Sequence, residues 1–198
     1  MKYPQQPVYA ETEEKRSRFI AELIPVTAET HLRERQQELR LQHPKASHVC
    51  TAFRIMNDLH QISEGFSDDG EPGGTAGAPM LRVLQHHDLI NCAVLITRYF
   101  GGTKLGTGGL QRAYSQAAAV VAQSEDAAWR TYRRLHDADI TCDFAGEATL
   151  RRTLAGCGIL CAGEHYNEDG VTLRVRLTES ELTDLQTRPE LRLCRFSS

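Results

Sequence analysis

The sequence predicts an α+β protein in two domains, an α/β unit over residues 1–133 and a smaller βαββαβ unit over 134–198. Three observations carry this. The continuous apolar run Cys92-Ala93-Val94-Leu95-Ile96 has the character of a central strand. Leu110, Ala113, Tyr114, Ala117, Ala118 and Val121 form one apolar stripe at helical spacing. Residues 171–177 alternate strictly, with Val171, Leu173, Val175 and Leu177 on one face and Thr172, Arg174 and Arg176 on the other.

In the first part, 8–14 and 18–26 read as strands joined by a hairpin turn at 15–17. A helix over 28–42 follows from Leu32 and Leu39, a heptad apart. It ends at His43-Pro44, because the residue before proline is pushed out of the α region. Residues 47–56 and 61–66 read as strands. Pro79 suits the first turn of a helix that runs to about His87. The central strand spans 91–100, and the striped helix follows it. The polar stretch 125–134, around Trp129 and Tyr132, interrupts the apolar pattern and reads as the linker.

In the second part, 136–144 alternates, with Ile140, Cys142 and Phe144 inward and Asp139, Thr141 and Asp143 outward. A helix over 147–157 carries Leu150, Leu154 and Cys157, and Gly158 stops it. Next come a strand at 159–166, a turn at 167–170, the strand at 171–177, a helix at 179–187 and a last strand at 191–196. This is the order of a ferredoxin-like split βαβ unit. In that topology the first and third strands are central neighbours. Asp139, Thr141 and Asp143 then face Thr172, Arg174 and Arg176, which makes cross-strand pairing the expected role of the two arginines. An RNA platform is disfavoured there, because these strands lack the aromatic residues on which bases stack.

The formal charge of −3 on 198 residues disfavours a strong polyelectrolyte-type nucleic-acid binder. No apolar run approaches the length of a membrane span, and the N-terminus lacks the apolar core of a signal peptide. The expected location is the cytoplasm, with no membrane partner and with the six cysteines as reduced thiols.

Two glycine-rich loops stand out. The first, 65–77, carries Asp68, Asp69 and Glu71 within four residues. Such carboxylates hold Mg²⁺, grip a basic partner, transfer protons, or cap backbone N–H groups in a tight turn. The second, 98–110, leaves the central strand and enters the striped helix, with Thr107 as its expected N-cap. Exposed N–H groups at such a helix start attract an anion, and Arg98 and Lys104 add positive charge beside Gly106, Thr107, Gly108 and Gly109. The loop is not a Walker motif, since Thr107 stands where that motif needs lysine. No His or Cys spacing matches a zinc site, so no metal ligand is assigned. His48 and Cys50 share a strand face but lack an orienting acid and an oxyanion hole, so no catalytic residue is assigned either.

The same loops carry a family resemblance. Phe66-Ser67-Asp68-Asp69-Gly70-Glu71-Pro72 through Gly77-x-Pro79-Met80 resembles a signature of the IMPACT family. So does Thr97-Arg98-Tyr99-Phe100-Gly101-Gly102 through Leu105-Gly106-Thr107-Gly108-Gly109-Leu110, followed by Arg112-Ala113-Tyr114. Lys15-x-Ser17-Arg18-Phe19 and His43-Pro44 with Ala46-x-His48-x-Cys50 match earlier motifs, and the chain resembles the bacterial YigZ-like branch. The resemblance implies an N-terminal α/β sandwich similar to domain 2 of ribosomal protein S5 and to domain IV of elongation factor G. It implies a C-terminal ferredoxin-like domain similar to domain V of that factor. Eukaryotic relatives regulate translation, partly through an RWD domain that is not read in this sequence, so their kinase-pathway role is not carried over.

The leading expectation is a translation-associated binding protein, not an enzyme, that contacts RNA or the ribosome. Arg98, Lys104 and the helix start would meet phosphate, while Asp68, Asp69 and Glu71 orient the basic groups or meet a basic partner. The alternatives are a Mg²⁺-dependent enzyme on a phosphorylated or anionic small molecule, and a pure protein-interaction module.

Overall fold

The structure, a computed structural model, describes residues 1–57 and 59–197. The chain divides into two compact units, Met1–Tyr132 and Arg133–Ser198. Unit 1 runs β1 (Lys2–Tyr3), β2 (Val8–Glu14), β3 (Ser17–Pro25), α1 (Glu29–Gln42), β4 (His48–Met56), β5 (Ile62–Ser67), α2 (Gly77–His86), β6 (Cys92–Tyr99), α3 (Gly106–Ala122) and β7 (Arg130–Thr131). Its main sheet has five strands in the order β2-β3-β6-β4-β5, with antiparallel neighbours throughout. β6 is the middle strand, which is why its sequence is apolar without alternation.

The sheet is covered on both faces. Cys92, Val94 and Ile96 of β6 join the core formed with α2 and α3, together with Phe19, Met80 and Tyr114. Ala93 and Leu95 point the other way, into a smaller core with Leu32 and Leu39 of α1. The stripe on α1 is thin, and an ion pair supplements it. Arg35 donates from Nε and Nη2 to the two carboxylate oxygens of buried Glu22 at 2.7 and 2.9 Å. The turn between β2 and β3 places Lys15 and Arg16 at φ of 46° and 65°, the left-handed pair of a two-residue hairpin.

Residues 125–132 of the expected linker belong to unit 1, and the boundary between the units falls at its end, after Tyr132. Residues Glu125–Ala127 form a 3-10 turn, and Trp129 packs on the unit 1 core with its Nε1–H on the Ser124 carbonyl at 2.8 Å. β7 pairs with β1, and the Tyr132 hydroxyl lies 2.7 Å from His60 Nδ1. The pairing partner comes from the opposite end of the unit, so local polarity does not reveal it.

Unit 2 runs β8 (His136–Asp143), α4 (Phe144–Gly156), β9 (Cys161–Tyr166), β10 (Gly170–Leu177), α5 (Glu179–Thr187) and β11 (Arg195–Ser197). The sheet order β11-β8-β10-β9 puts the first and third strands side by side, the ferredoxin-like arrangement. Ile140, Cys142, Val171, Leu173, Val175 and Leu177 share its core with Leu150 and Leu154. On the open face Arg174 is bidentate to Asp139 at 2.9 and 3.0 Å, and Arg176 reaches Asp137 at 2.8 Å. Thr141 and Thr172 share a hydrogen bond of 2.8 Å. Two elements differ from the sequence reading. Phe144 is exposed and opens α4, because Asp143 caps that helix through the Gly146 N–H. The last strand is shorter, because residues Pro189–Leu191 form a 3-10 turn that places Leu191 in the core. All six cysteines are free thiols.

Candidate functional site

The acidic loop turns its carboxylates inward. Asp68 accepts three backbone N–H groups ahead of and at the start of α2: Gly74 at 2.7 Å, Ala76 at 3.0 Å and Gly77 at 2.8 Å. Asp69 accepts the Val49 N–H at 2.6 Å and pairs with Arg40 of α1. His48 Nδ1 donates to the Asp69 carbonyl at 2.8 Å. Glu71 is 8% exposed and accepts Arg98 Nη1 at 2.5 Å and the Tyr114 hydroxyl at 2.8 Å. Each carboxylate is therefore engaged within the fold, as backbone caps and ion pairs. Among the described residues no group of three or more His, Cys, Asp or Glu side chains is arranged to hold a metal ion.

Arg98 is also turned inward. It is 5% exposed, and besides Glu71 it reaches Ser17 Oγ from Nη2 at 3.4 Å. Ser17 Oγ in turn accepts the Gly101 N–H at 3.2 Å. A Cβ on Gly101 would lie 2.1 Å from the Arg16 carbonyl carbon, so only glycine lets this loop seat against the hairpin. The expected phosphate contact of Arg98 thus becomes a floor contact, since its charge is matched by Glu71.

The helix start differs from the reading as well. α3 begins at Gly106, its N-cap position is Leu105, and no side chain caps it. Thr107 is exposed within the first turn and is not the cap. Gly106, where α3 begins, holds φ at 71°, a left-handed value that glycine takes without a Cβ clash. No acidic residue occupies the first turn, so its N–H groups and the positive end of the helix dipole face outward unanswered.

The two glycine loops meet. Glu71 and Pro72 from the first, and Arg98, Phe100, Lys104 and Thr107 from the second, line one cavity of about 380 Å³. Three cations stand near the α3 start: exposed Lys104, exposed Arg16 with Nη2 on Thr103 Oγ1 at 3.2 Å, and exposed Arg112, whose Nη1 approaches Gly108. None of the three forms an ion pair among the described residues. Arg16, Phe100 and Arg112 were missed as site residues. Arg112 lies six residues after Gly106, and Arg16 belongs to a distant hairpin. Phe100 reads as the end of the central strand 91–100, which gives no sign that the residue is half exposed.

The Cys50–His48 pair has no nucleophile. Burial pushes the Cys50 thiol up to about 12, and its one proton has the Asp68 carbonyl at 3.1 Å and the Tyr114 hydroxyl at 3.3 Å as acceptors within reach. Tyr114 is raised in turn, mainly by burial. The open sheet of unit 2 has a shallow cavity of about 370 Å³ over Asp139, His165 and Arg174, but its arginines are matched by aspartates.

These features define an α+β protein with a basic mouth at a glycine-loop helix start that no side chain caps. Residues 15–122 match the Impact N-terminal domain, and residues 140–188 match a domain of unknown function, DUF1949. The chain belongs to the IMPACT family. It is 46% identical over 103 residues to family member YvyE of Bacillus subtilis, covering 52% of this chain and 46% of YvyE. It is 40% identical over 144 residues to a member from Haemophilus influenzae, covering 71% and 68%. It is 42% identical over 113 residues to YigZ of Escherichia coli, covering 56% and 54%. The matched region thus spans about half the length of YvyE and YigZ. A crystal structure of a hypothetical protein superposes with a TM-score of 0.63 at 30% identity, over 92% of this chain and 87% of the other. No helix among the described residues is long and apolar enough to cross a membrane.

Proposed function

We propose that this protein is a cytoplasmic, translation-associated binding protein that contacts RNA, free or on the ribosome, through the start of α3. The translational setting comes from family membership, since the eukaryotic relatives regulate translation. The single observation that carries the contact is the uncapped first turn of α3 beside Lys104, Arg16 and Arg112, none of them ion-paired among the described residues. A phosphate at Gly106, Thr107, Gly108 and Gly109 would accept backbone N–H groups, with Lys104 as its counter-charge. Arg98 and Glu71 shape the mouth from below. Few phosphates are neutralised, so binding is modest and falls with salt.

The test is co-sedimentation of the purified chain with ribosomes at low and moderate salt, with and without nuclease, alongside Lys104→Ala. The reading expects co-sedimentation that salt, nuclease and the substitution each weaken. Co-sedimentation indifferent to Lys104 overturns the site, and no co-sedimentation at either salt overturns the ribosomal form of the reading.

A further inference from the structure

The mouth of α3 opens onto an aromatic ring that phosphate contact alone does not require. Phe100 follows directly on β6, and its backbone is fixed because the next residue, Gly101, is pressed against Arg16 and Ser17. The residue is nevertheless 50% exposed. The Arg98 guanidinium lies 5.7 Å from the Phe100 ring centroid and 5.5 Å from that of buried Phe19. Glu71 and Ser17 hold that guanidinium in place over the ring. Arg98 Nε is buried without a hydrogen-bond partner, on a side chain that lines the same cavity as Phe100 and Lys104. An orphaned buried donor in a cavity wall is a place for an acceptor brought by a ligand or its bound water.

We infer that this cavity takes one phosphate–base unit of single-stranded RNA, with Phe100 as the stacking platform. The inference rests on the phosphate reading above and narrows it. Its geometry suits a strand whose anionic and aromatic parts alternate. The phosphate sits at the α3 start and Lys104, and the base lies on Phe100. A cavity of about 380 Å³ admits a small ligand and not a helix groove. The bases of a duplex are stacked on one another and have no face to offer. An acidic peptide would use the cations and leave the ring idle.

The experiment measures fluorescence anisotropy of the full chain with a labelled, unstructured single-stranded RNA and with a duplex of equal length, each over a salt series. Phe100→Ala, Phe100→Trp and Lys104→Ala are compared, with thermal melting to confirm that each variant is folded. The inference expects single strands to bind tighter than duplex. Phe100→Ala should weaken single-strand binding about tenfold with an unchanged salt slope, and Phe100→Trp should retain it. Lys104→Ala should lower the slope. If Phe100→Ala binds as wild type, or duplex binds as well as single strand, while Lys104→Ala still weakens both, the stacking site is refuted and the phosphate contact stands. If neither RNA binds, or an acidic peptide binds in their place, both fall.

Discussion

Replacing Glu71 by leucine should be among the most damaging single changes in unit 1. The carboxylate is 2.5 Å from Arg98 Nη1, and the two side chains are 3% and 6% exposed. Without it Arg98 keeps only Ser17, at 3.4 Å, and its Nε has no partner already. Stranding a buried charge in this way costs about 3–5 kcal/mol. The Tyr114 hydroxyl also loses its acceptor at 2.8 Å, roughly another 1 kcal/mol. Against a total stability of about 5–15 kcal/mol, this is a large fraction. With a urea m-value of about 2 kcal/mol/M, the midpoint should fall by roughly 2–3 M. The lone tryptophan, Trp129, packs on the unit 1 core, so its fluorescence follows this unit. Pairing Glu71→Leu with Arg98→Met should recover most of the loss, because two apolar groups replace the ion pair. A loss below about 1 kcal/mol for Glu71→Leu, or a double variant no more stable than the single one, refutes the reasoning.

Three further outcomes follow from the same geometry. Asp68→Ala should destabilise unit 1 by about 2–4 kcal/mol, since three backbone donors lose a charged acceptor, and Asp68→Asn should cost less; chemical denaturation followed at Trp129 measures both. In native protein Cys161, which is exposed, should react first with a thiol reagent near neutral pH, while buried Cys50 and Cys92, each pushed up to about 12, stay unlabelled until unfolding; mass spectrometry reads the order. Glu181 is held below its ordinary value of 4.5, first by the Thr178 backbone N–H, and Glu147 below the same value, first by the Tyr166 hydroxyl. Lowered carboxylates contribute stability above pH 4.5 that is lost as pH falls through their folded values, so unit 2 should melt at lower temperature below that pH, and Glu181→Gln should flatten the dependence in calorimetry.

The fold was largely legible because its elements differ in period. The unbroken apolar run of β6, the stripe of α3 and the alternation of β10 each encode how many faces are buried. The pairing of Arg174 with Asp139 was legible too, since the split topology makes their strands neighbours, but Arg176 meets Asp137 and Asp143 caps α4 instead of facing an arginine. Features set by distant contacts were not. The 125–134 stretch reads as a linker until β1 supplies a partner for β7. Phe144 fits the strand pattern, but Asp143 caps α4 and ends that strand.

At the site, residue types gave the chemistry but not its direction. Of the roles open to Asp68, Asp69 and Glu71, the structure shows the capping of backbone N–H groups and the pairing with Arg40 and Arg98. A loop that must satisfy its own backbone recruits its nearest acceptors. Thr107 has the right side chain for an N-cap, but α3 begins before it, at Gly106. Arg16 is brought to the mouth from the β2–β3 hairpin, and Arg112 by the turn of α3 that sets it over Gly108.

The salt dependence of RNA binding tests the central claim most directly. Affinity of the full chain for single-stranded RNA, measured across a salt series, should fall as salt rises. Lys104→Ala and Arg112→Ala should each reduce the logarithmic slope by about 0.7, one phosphate contact apiece. Wild-type slopes retained in both variants, or binding that salt does not weaken, would contradict phosphate recognition at the start of α3.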